Sequence, residues 1–171
     1  MRVVINDANI LIDLAKLELL DVFSQLNFEL HSTDFVLAEL NKSQRVLIDK
    51  LILDNVLNII KTEDIDDFNG ISSLLERTNG LSFEDCSVWY YSKKMNGILL
   101  TGDGKLRKQA RKDEIEVKGI IYIFDELLAQ GLISYAIAIL RMKQLIQLNM
   151  RLPEAEIEKR LIEWELKNNL G

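Results

Sequence analysis

The chain is poor in the residues on which familiar active sites are built: one cysteine, one histidine and one proline among 171 residues. A lone Cys86 cannot close an intrachain disulfide, which fits a reducing compartment. It reads as a small core residue, since no histidine stands in a partner motif. The one histidine, His31, lies near a strand end and reads as structural or surface. With one proline and eight glycines, disorder is not expected. Long apolar runs are also missing. The run after Met1 and Arg2 is too short for a signal peptide, and Leu132 to Leu140 is stopped by Arg141, too short to span a bilayer. These absences predict a soluble cytoplasmic protein with no membrane partner. Positive charge is scarce as well, at a net −6. That argues against a nucleic-acid partner, because phosphate binding is driven by Lys and Arg. The distribution weakens the objection. Lys93, Lys94, Lys105, Arg107, Lys108, Arg111 and Lys112 fall within one twenty-residue span, which reads either as a phosphate-binding patch or as a solvated helix face.

What the chain has is an ordinary globular balance, 48% hydrophobic and 28% charged, and enough length for one core with an appendage. Apolar, β-branched runs predict strands at Val3 to Asn6, Phe28 to His31, Val56 to Ile60, Ile98 to Thr101 and Ile115 to Ile120. Helical spacing fills most of the intervals. Ser32, Thr33 and Asp34 start one helix, Ser82 starts another, and Asn96-Gly97 ends that one with the glycine usual just past a helix. Strands alternating with helices predict a three-layer α/β domain with a parallel sheet. After about residue 124 only helices follow: Phe124 to Gln130, Ile133 to Asn149 and Pro153 to Lys167, with Pro153 in the first position of the last. The expected organisation is therefore 1–124 as the domain and 125–171 as a helical extension, acting as a cap or an interaction arm.

Four acids stand out. Asp7 and Asp103 come directly after apolar runs, hence at strand C-terminal ends, the edge where open α/β sheets bind ligands. Glu39 and Asp85 lie near helix beginnings. Brought together, the four would repel one another unless a cation sat between them. Three of them also have a plainer reading. Asp7 suits a helix cap, Asp103 a turn beside Gly102 and Gly104, and Asp85 the fourth place of a capping box, Ser82-Phe83-Glu84-Asp85. Glu39, in Val36-Leu37-Ala38-Glu39-Leu40, sits near the apolar face, where an unpaired carboxylate is costly.

The four segments Val4 to Leu14, Val36 to Leu40, Leu81 to Asp85 and Leu99 to Asp103 resemble, in order and spacing, the signature segments of PIN-domain nucleases, including VapC-like toxins. The resemblance covers residues 1 to about 124. Thr101 to Ala110, with Gly131-Leu132-Ile133 and Leu152-Pro153, resembles a branch with extra C-terminal helices. It implies that Asp7, Glu39, Asp85 and Asp103 bind Mg²⁺ or Mn²⁺ and carry catalysis. Asn9 and Thr101 would support them by hydrogen bonding. The implied activity is ribonuclease cleavage of RNA, with a small antitoxin protein and a homodimer as the associated partners. Where many relatives carry a further acid after the last aspartate, this chain has Gly104, which leaves a fifth acidic position open.

The chemistry agrees with the residues. Mg²⁺ prefers carboxylate and water oxygens, and a metal pair about 3.5–4 Å apart serves in-line phosphoryl displacement without a histidine base. Lys105, Arg107 and Arg111 are the candidate phosphate contacts. Trp89, Tyr90 and Tyr91 suit either base stacking or the core, and Trp164 either the core or a partner. A haloacid-dehalogenase-type phosphatase would want an aspartate where Asn9 stands. A receiver domain would want an acidic pair in its first loop, and a dinucleotide site a glycine-rich turn after the first strand. The remaining alternative is a PIN-like binding or regulatory module with little or no hydrolysis.

Overall fold

The computed structural model describes residues 1–149 and 151–170. Its strands are β1 (Arg2–Asn6), β2 (Phe28–Thr33), β3 (Leu57–Ile60), β4 (Ile98–Leu100) and β5 (Val117–Lys118). Its helices are α1 (Ala8–Lys16), α2 (Leu20–Phe23), α3 (Asp34–Glu39), α4 (Lys42–Leu53), α5 (Ile65–Glu76), α6 (Phe83–Lys94), α7 (Gly104–Lys112), α8 (Ile120–Ala129), α9 (Tyr135–Leu148) and α10 (Glu154–Leu170). The sheet runs β3-β2-β1-β4-β5, with every neighbouring pair parallel. Helices flank it, so the three-layer parallel α/β architecture is as expected from the alternation, with further helices at the C-terminus. Strand order reverses between β1 and β4. In open parallel sheets the crevice outside the strand C-termini at this reversal is the usual ligand site.

The chain separates into two compact units, Met1–Ile12 with Asn27–Ile120, and Asp13–Leu26 with Ile121–Gly171. In the first, α6 packs on β1, β2 and β4 and against α3, α5 and α7. It is buried nearly all round, through Cys86, Ser87, Val88, Trp89, Tyr91 and Ser92, as a helix enclosed by neighbours must be. Ile5, Leu99 and Val117 from the strands join Ile71, Leu74, Leu106 and Ala110 in the same core. Cys86 is in that core, and burial pushes its thiol up to about 11, so it is an unreactive packing residue. Trp89 is core as well, its Nε1 donating to Asp113 at 3.1 Å.

Several boundaries differ from expectation for local reasons. The fifth strand shrinks to two residues. Ile115 N–H bonds back to Ala110 to close α7, with Glu114 in the left-handed region, and Ile120 already opens α8. Val56 likewise closes α4 onto Leu51, so β3 starts at Leu57. At the end of α6 the left-handed residue is Asn96 (φ 50°), not Gly97. Gly97 is needed for another reason: a Cβ there would sit 3.2 Å from the Val3 carbonyl oxygen.

The second unit is helical, and within it α9 and α10 pack on each other. Trp164 is buried and stacks on Phe124, ring centroids 5.9 Å apart. It is a core residue, not an exposed partner anchor. Arg160 grips Asp125 at 2.8–3.0 Å through two nitrogens. Pro153 precedes the first residue of α10, and its carbonyl accepts from Ile157. Among the described residues no helix is long and apolar enough to cross a membrane.

Candidate functional site

Asp7 lies one residue past β1, and its N–H continues the ladder to the Leu100 carbonyl on β4 at 3.0 Å. It is 3% exposed. Thr101, directly after β4 and fully buried, donates its hydroxyl to Asp7 Oδ2 at 2.7 Å and accepts from Asp103 N–H at 3.0 Å. One threonine therefore fixes both strand-end aspartates. Asp103 is the N-cap of α7, its Oδ1 accepting from Leu106 N–H at 2.7 Å.

The other two acids come from helices set against β2. Thr33 at the end of β2 caps α3 through Val36 N–H and bonds Ser87 of α6 at 2.7 Å. Ser87 spends its proton on the Glu84 carbonyl at 2.7 Å, so Thr33 is the donor of the shared bond. This relay ties β2, α3 and α6 together. Asp85 completes the capping box of α6, with Ser82 N–H to Oδ2 at 2.9 Å and Asp85 N–H to Ser82 Oγ at 3.1 Å. Glu39, the last residue of α3, is exposed, not held against the apolar face. The residues ahead of it, Val36 and Leu37, take the buried side of this short helix, and Leu40 leaves it in an extended conformation.

The electrostatics are those of crowded carboxylates. Asp7 is raised from 3.8 to about 6, chiefly by burial. The Thr101 hydroxyl and the Ala8 backbone pull it down, while Asp85 and Asp103 push it further up. Glu39 is also raised, by partial desolvation and then by Glu84, Asp7 and Asp85. The four acids are thus close enough to feel one another in two overlapping groups. Glu84 joins them as an acid that the sequence motifs do not single out. Among the described residues none of Asp7, Glu39, Asp85 and Asp103 has a salt-bridge partner.

Among the described residues, no three acidic, histidine or cysteine side chains close into a preformed metal cage. The donor set nonetheless suits a hard divalent ion. All four donors are carboxylates, and Mg²⁺ keeps several of its waters and takes only one or two protein carboxylates. Among the described residues, the capping bonds leave Asp85 Oδ1 and Asp103 Oδ2 without a protein donor. Hydrogen bonding through the other oxygen is how ligating carboxylates are usually oriented. Capping and metal binding are thus compatible for Asp85 and Asp103.

Asn9 is exposed and, among the described residues, makes no side-chain hydrogen bond. Buried Asn6 donates instead to the Val4 and His31 carbonyls, its Oδ1 having no partner among the described residues, and Ser32 donates to the Asn6 carbonyl. The sequence signal for this network is a run of polar residues at strand C-terminal ends, Asn6 on β1 and His31-Ser32-Thr33 on β2. His31 itself is buried, its Nε2 3.0 Å from Glu29.

The basic cluster divides. Lys94 is bound to Asp67, and Lys93 lies 3.6 Å from Asp113. On α7, Arg107, Lys108, Arg111 and Lys112 line a shallow depression with Gly104. Arg107 is committed inward, Nη1 donating to the Thr101 carbonyl at 3.3 Å, and burial lowers its pKa. Lys105 reaches over Gly80. Lys108 and Lys112, members of the basic cluster but not of the three candidate phosphate contacts, share the depression. Tyr90 and Tyr91 donate to Asp67 at 2.8 and 3.2 Å. A separate cleft of about 420 Å³ opens at the strands' opposite ends, by Met1, Arg2 and Gly97, and contains none of the four acids.

A PilT N-terminus domain protein from Sulfolobus solfataricus is 9% identical, over 71% of this chain and 89% of that one, with a TM-score of 0.46. VapBC-1 from nontypeable Haemophilus influenzae is 14% identical, over 70% and 98%, at 0.48. VapBC2 from Rickettsia felis, solved with a DNA fragment from its promoter, is 17% identical, over 68% and 98%, at 0.48. No curated protein matches the sequence. The profile of the family described as DUF3368, PIN domain, matches residues 3–166. A match over nearly the whole chain, on a five-stranded parallel sheet with acids at its reversal point, makes this chain a member of the PIN-domain nuclease family.

Proposed function

We propose that this chain is a Mg²⁺- or Mn²⁺-dependent ribonuclease that hydrolyses RNA phosphodiester bonds at the acidic edge of its sheet. The observation that carries the reading is a buried Asp7, raised by its burial and further by Asp85 and Asp103, that among the described residues has no salt-bridge partner. Asp7, Glu39, Asp85 and Asp103 would hold the ion. When bound, a divalent ion supplies an activated water and neutralises charge on the phosphate. The protein's own part is orientation. Thr101 holds Asp7 by one oxygen and positions Asp103 through its N–H. The Thr33–Ser87 relay holds the ends of α3 and α6 at the same edge. Lys105 and Arg111, exposed on α7, would meet the RNA backbone, and Arg107 would brace the end of β4.

The test is cleavage of RNA by wild type with Mg²⁺, with Mn²⁺ and after chelation, beside Asp7→Asn and Asp85→Asn. Cleavage should require the metal and be lost in both variants. Cleavage that persists unchanged in both removes the assigned site. Replacing Lys105 and Arg111 by Gln should weaken RNA binding and flatten its salt dependence. The slope should fall by about 0.7 for each single-strand phosphate that the two side chains neutralise.

A second reading, a binding or regulatory module without hydrolysis, is favoured by the absence of a closed cage among the described residues. Metal-independent RNA binding with no cleavage would select it. The partner expected from the motif resemblance is a small antitoxin protein bound to a homodimer in the cytoplasm. A short neighbouring reading frame whose product copurifies with the chain and blocks cleavage would support this. For the architecture, the proposal keeps 1–124 as the nuclease domain and 125–171 as its helical extension.

A further inference from the structure

A different surface carries an inference independent of the acidic edge. Between α9 and α10 lies a groove of about 460 Å³. Its apolar lining includes Ile146, Leu152, Leu161 and Ile162. Ile146 and Ile162 remain 42% and 56% exposed. Its rim is acidic: Glu154, Glu158 and Glu165 border it from α10. They share one helical face with Ile157 and Leu161, at spacings of three, four and seven residues.

The pairing of these glutamates is selective. α10 carries five: Glu154, Glu156, Glu158, Glu163 and Glu165. Glu156 is bonded to Arg160, Glu163 to Lys167 and Glu165 to Lys143. Among the described residues Glu154 and Glu158 have no cationic partner, and both line the groove. An apolar trough edged by two glutamates that have no cationic partner among the described residues is complementary to one kind of occupant. We propose that the α9–α10 groove docks an amphipathic helix of another protein, with aliphatic residues at i, i+3, i+4 and i+7 in the trough and Lys or Arg on its flanks. A second copy of this chain is the poorer fit. Two-fold pairing of this surface sets one glutamate-edged groove against another, and like charges across an interface are unfavourable.

The test uses the full chain and two labelled synthetic helices with the same Leu/Ile face, one flanked by Lys and Arg, the other by Glu. Binding is followed by fluorescence anisotropy at low and high salt. The basic helix should bind at least about tenfold more tightly, with the preference shrinking as salt screens it. Glu154→Lys with Glu158→Lys should invert the preference, and Ile162→Asp should abolish binding of both helices. Far-UV circular dichroism of each variant confirms that the helices remain folded. RNA cleavage should not change, since none of these residues is assigned to the acidic edge. Equal binding of the two helices, or no saturable binding of either, overturns the proposal. So does a wild-type dimer in sedimentation that Ile162→Asp converts to monomer, because the occupant is then a second copy.

Discussion

Two buried aspartates of the first unit, Asp7 and Asp67, are 3% and 9% exposed, and they have been treated in opposite ways. Asp67 accepts from Tyr90, Tyr91 and Lys94. Its pKa is lowered, first by the Lys94 bond and then by Tyr90. It is a junction between α5 and α6, with every strong donor it needs. Asp7 has the Thr101 hydroxyl, the Ala8 backbone and otherwise other acids, and is raised to about 6. A buried carboxylate that only supports the fold is surrounded by donors and a cation. One that is left short of them is a candidate for holding a ligand. Perturbation by burial and like charge at a sheet edge is what makes Asp7, and not Asp67, the candidate site acid.

The largest test of this contrast is Asp7→Asn. It should reduce RNA cleavage on the order of a thousandfold, the scale of several kcal/mol of lost metal-assisted stabilisation, measured in single-turnover assays at saturating Mg²⁺. Asp67→Asn should leave that rate within a few fold.

Stability should respond to pH through Asp7. Below about pH 4 Asp7 is protonated in both the folded and the unfolded metal-free chain. Between about 4 and 6 the unfolded chain releases the proton while the folded chain keeps it, so stability falls as pH rises. Above 6 the full cost, about 3 kcal/mol for a rise from 3.8 to about 6, is present. Urea unfolding of metal-free wild type should show this decline, and Asp7→Asn should remove it and be the more stable protein at neutral pH. A flat profile in wild type would equate the two aspartates. Saturating Mg²⁺ should restore part of the loss, because only the folded chain offers the site.

Asp67→Asn should lower stability by about 2 kcal/mol, the scale of losing charge-assisted bonds at a partly buried group. The smallest effect should come from Thr101→Val. It removes the donor to Asp7 and the acceptor for Asp103 N–H. The expected outcome is about a tenfold rise in the Mg²⁺ concentration needed for half-maximal cleavage, with the pH at which Asp7 titrates moving higher.

How much of this was legible depends on the residue. Asp7 and Asp103 could be placed because an apolar strand followed by an acid defines a strand end locally. Asp85 could be placed on the first turn of α6, because Ser82-Phe83-Glu84-Asp85 is a local capping signal. Glu39 is exposed where its neighbours Val36 and Leu40 predict an apolar face, because a helix of six residues leaves its last residue at a free end. Asp67 gave no signal at all. In sequence it is one of two adjacent acids on a first turn, and only the approach of Tyr90, Tyr91 and Lys94 from α6 makes it a buried junction. The Thr33–Ser87 bond joins residues 54 apart, beyond any local pattern.

By itself, the sequence determined the alternation of strands and helices, the acids at the strand ends and the scarcity of cysteine and histidine. Each follows from short-range rules of hydrophobic period and capping. Only the tertiary structure decided the strand order β3-β2-β1-β4-β5, which brings the ends of β1 and β4 side by side. It alone separated the unbalanced Asp7 from the satisfied Asp67. Whether a buried charge is paired depends on which distant donors packing delivers to it, and no local spacing encodes that.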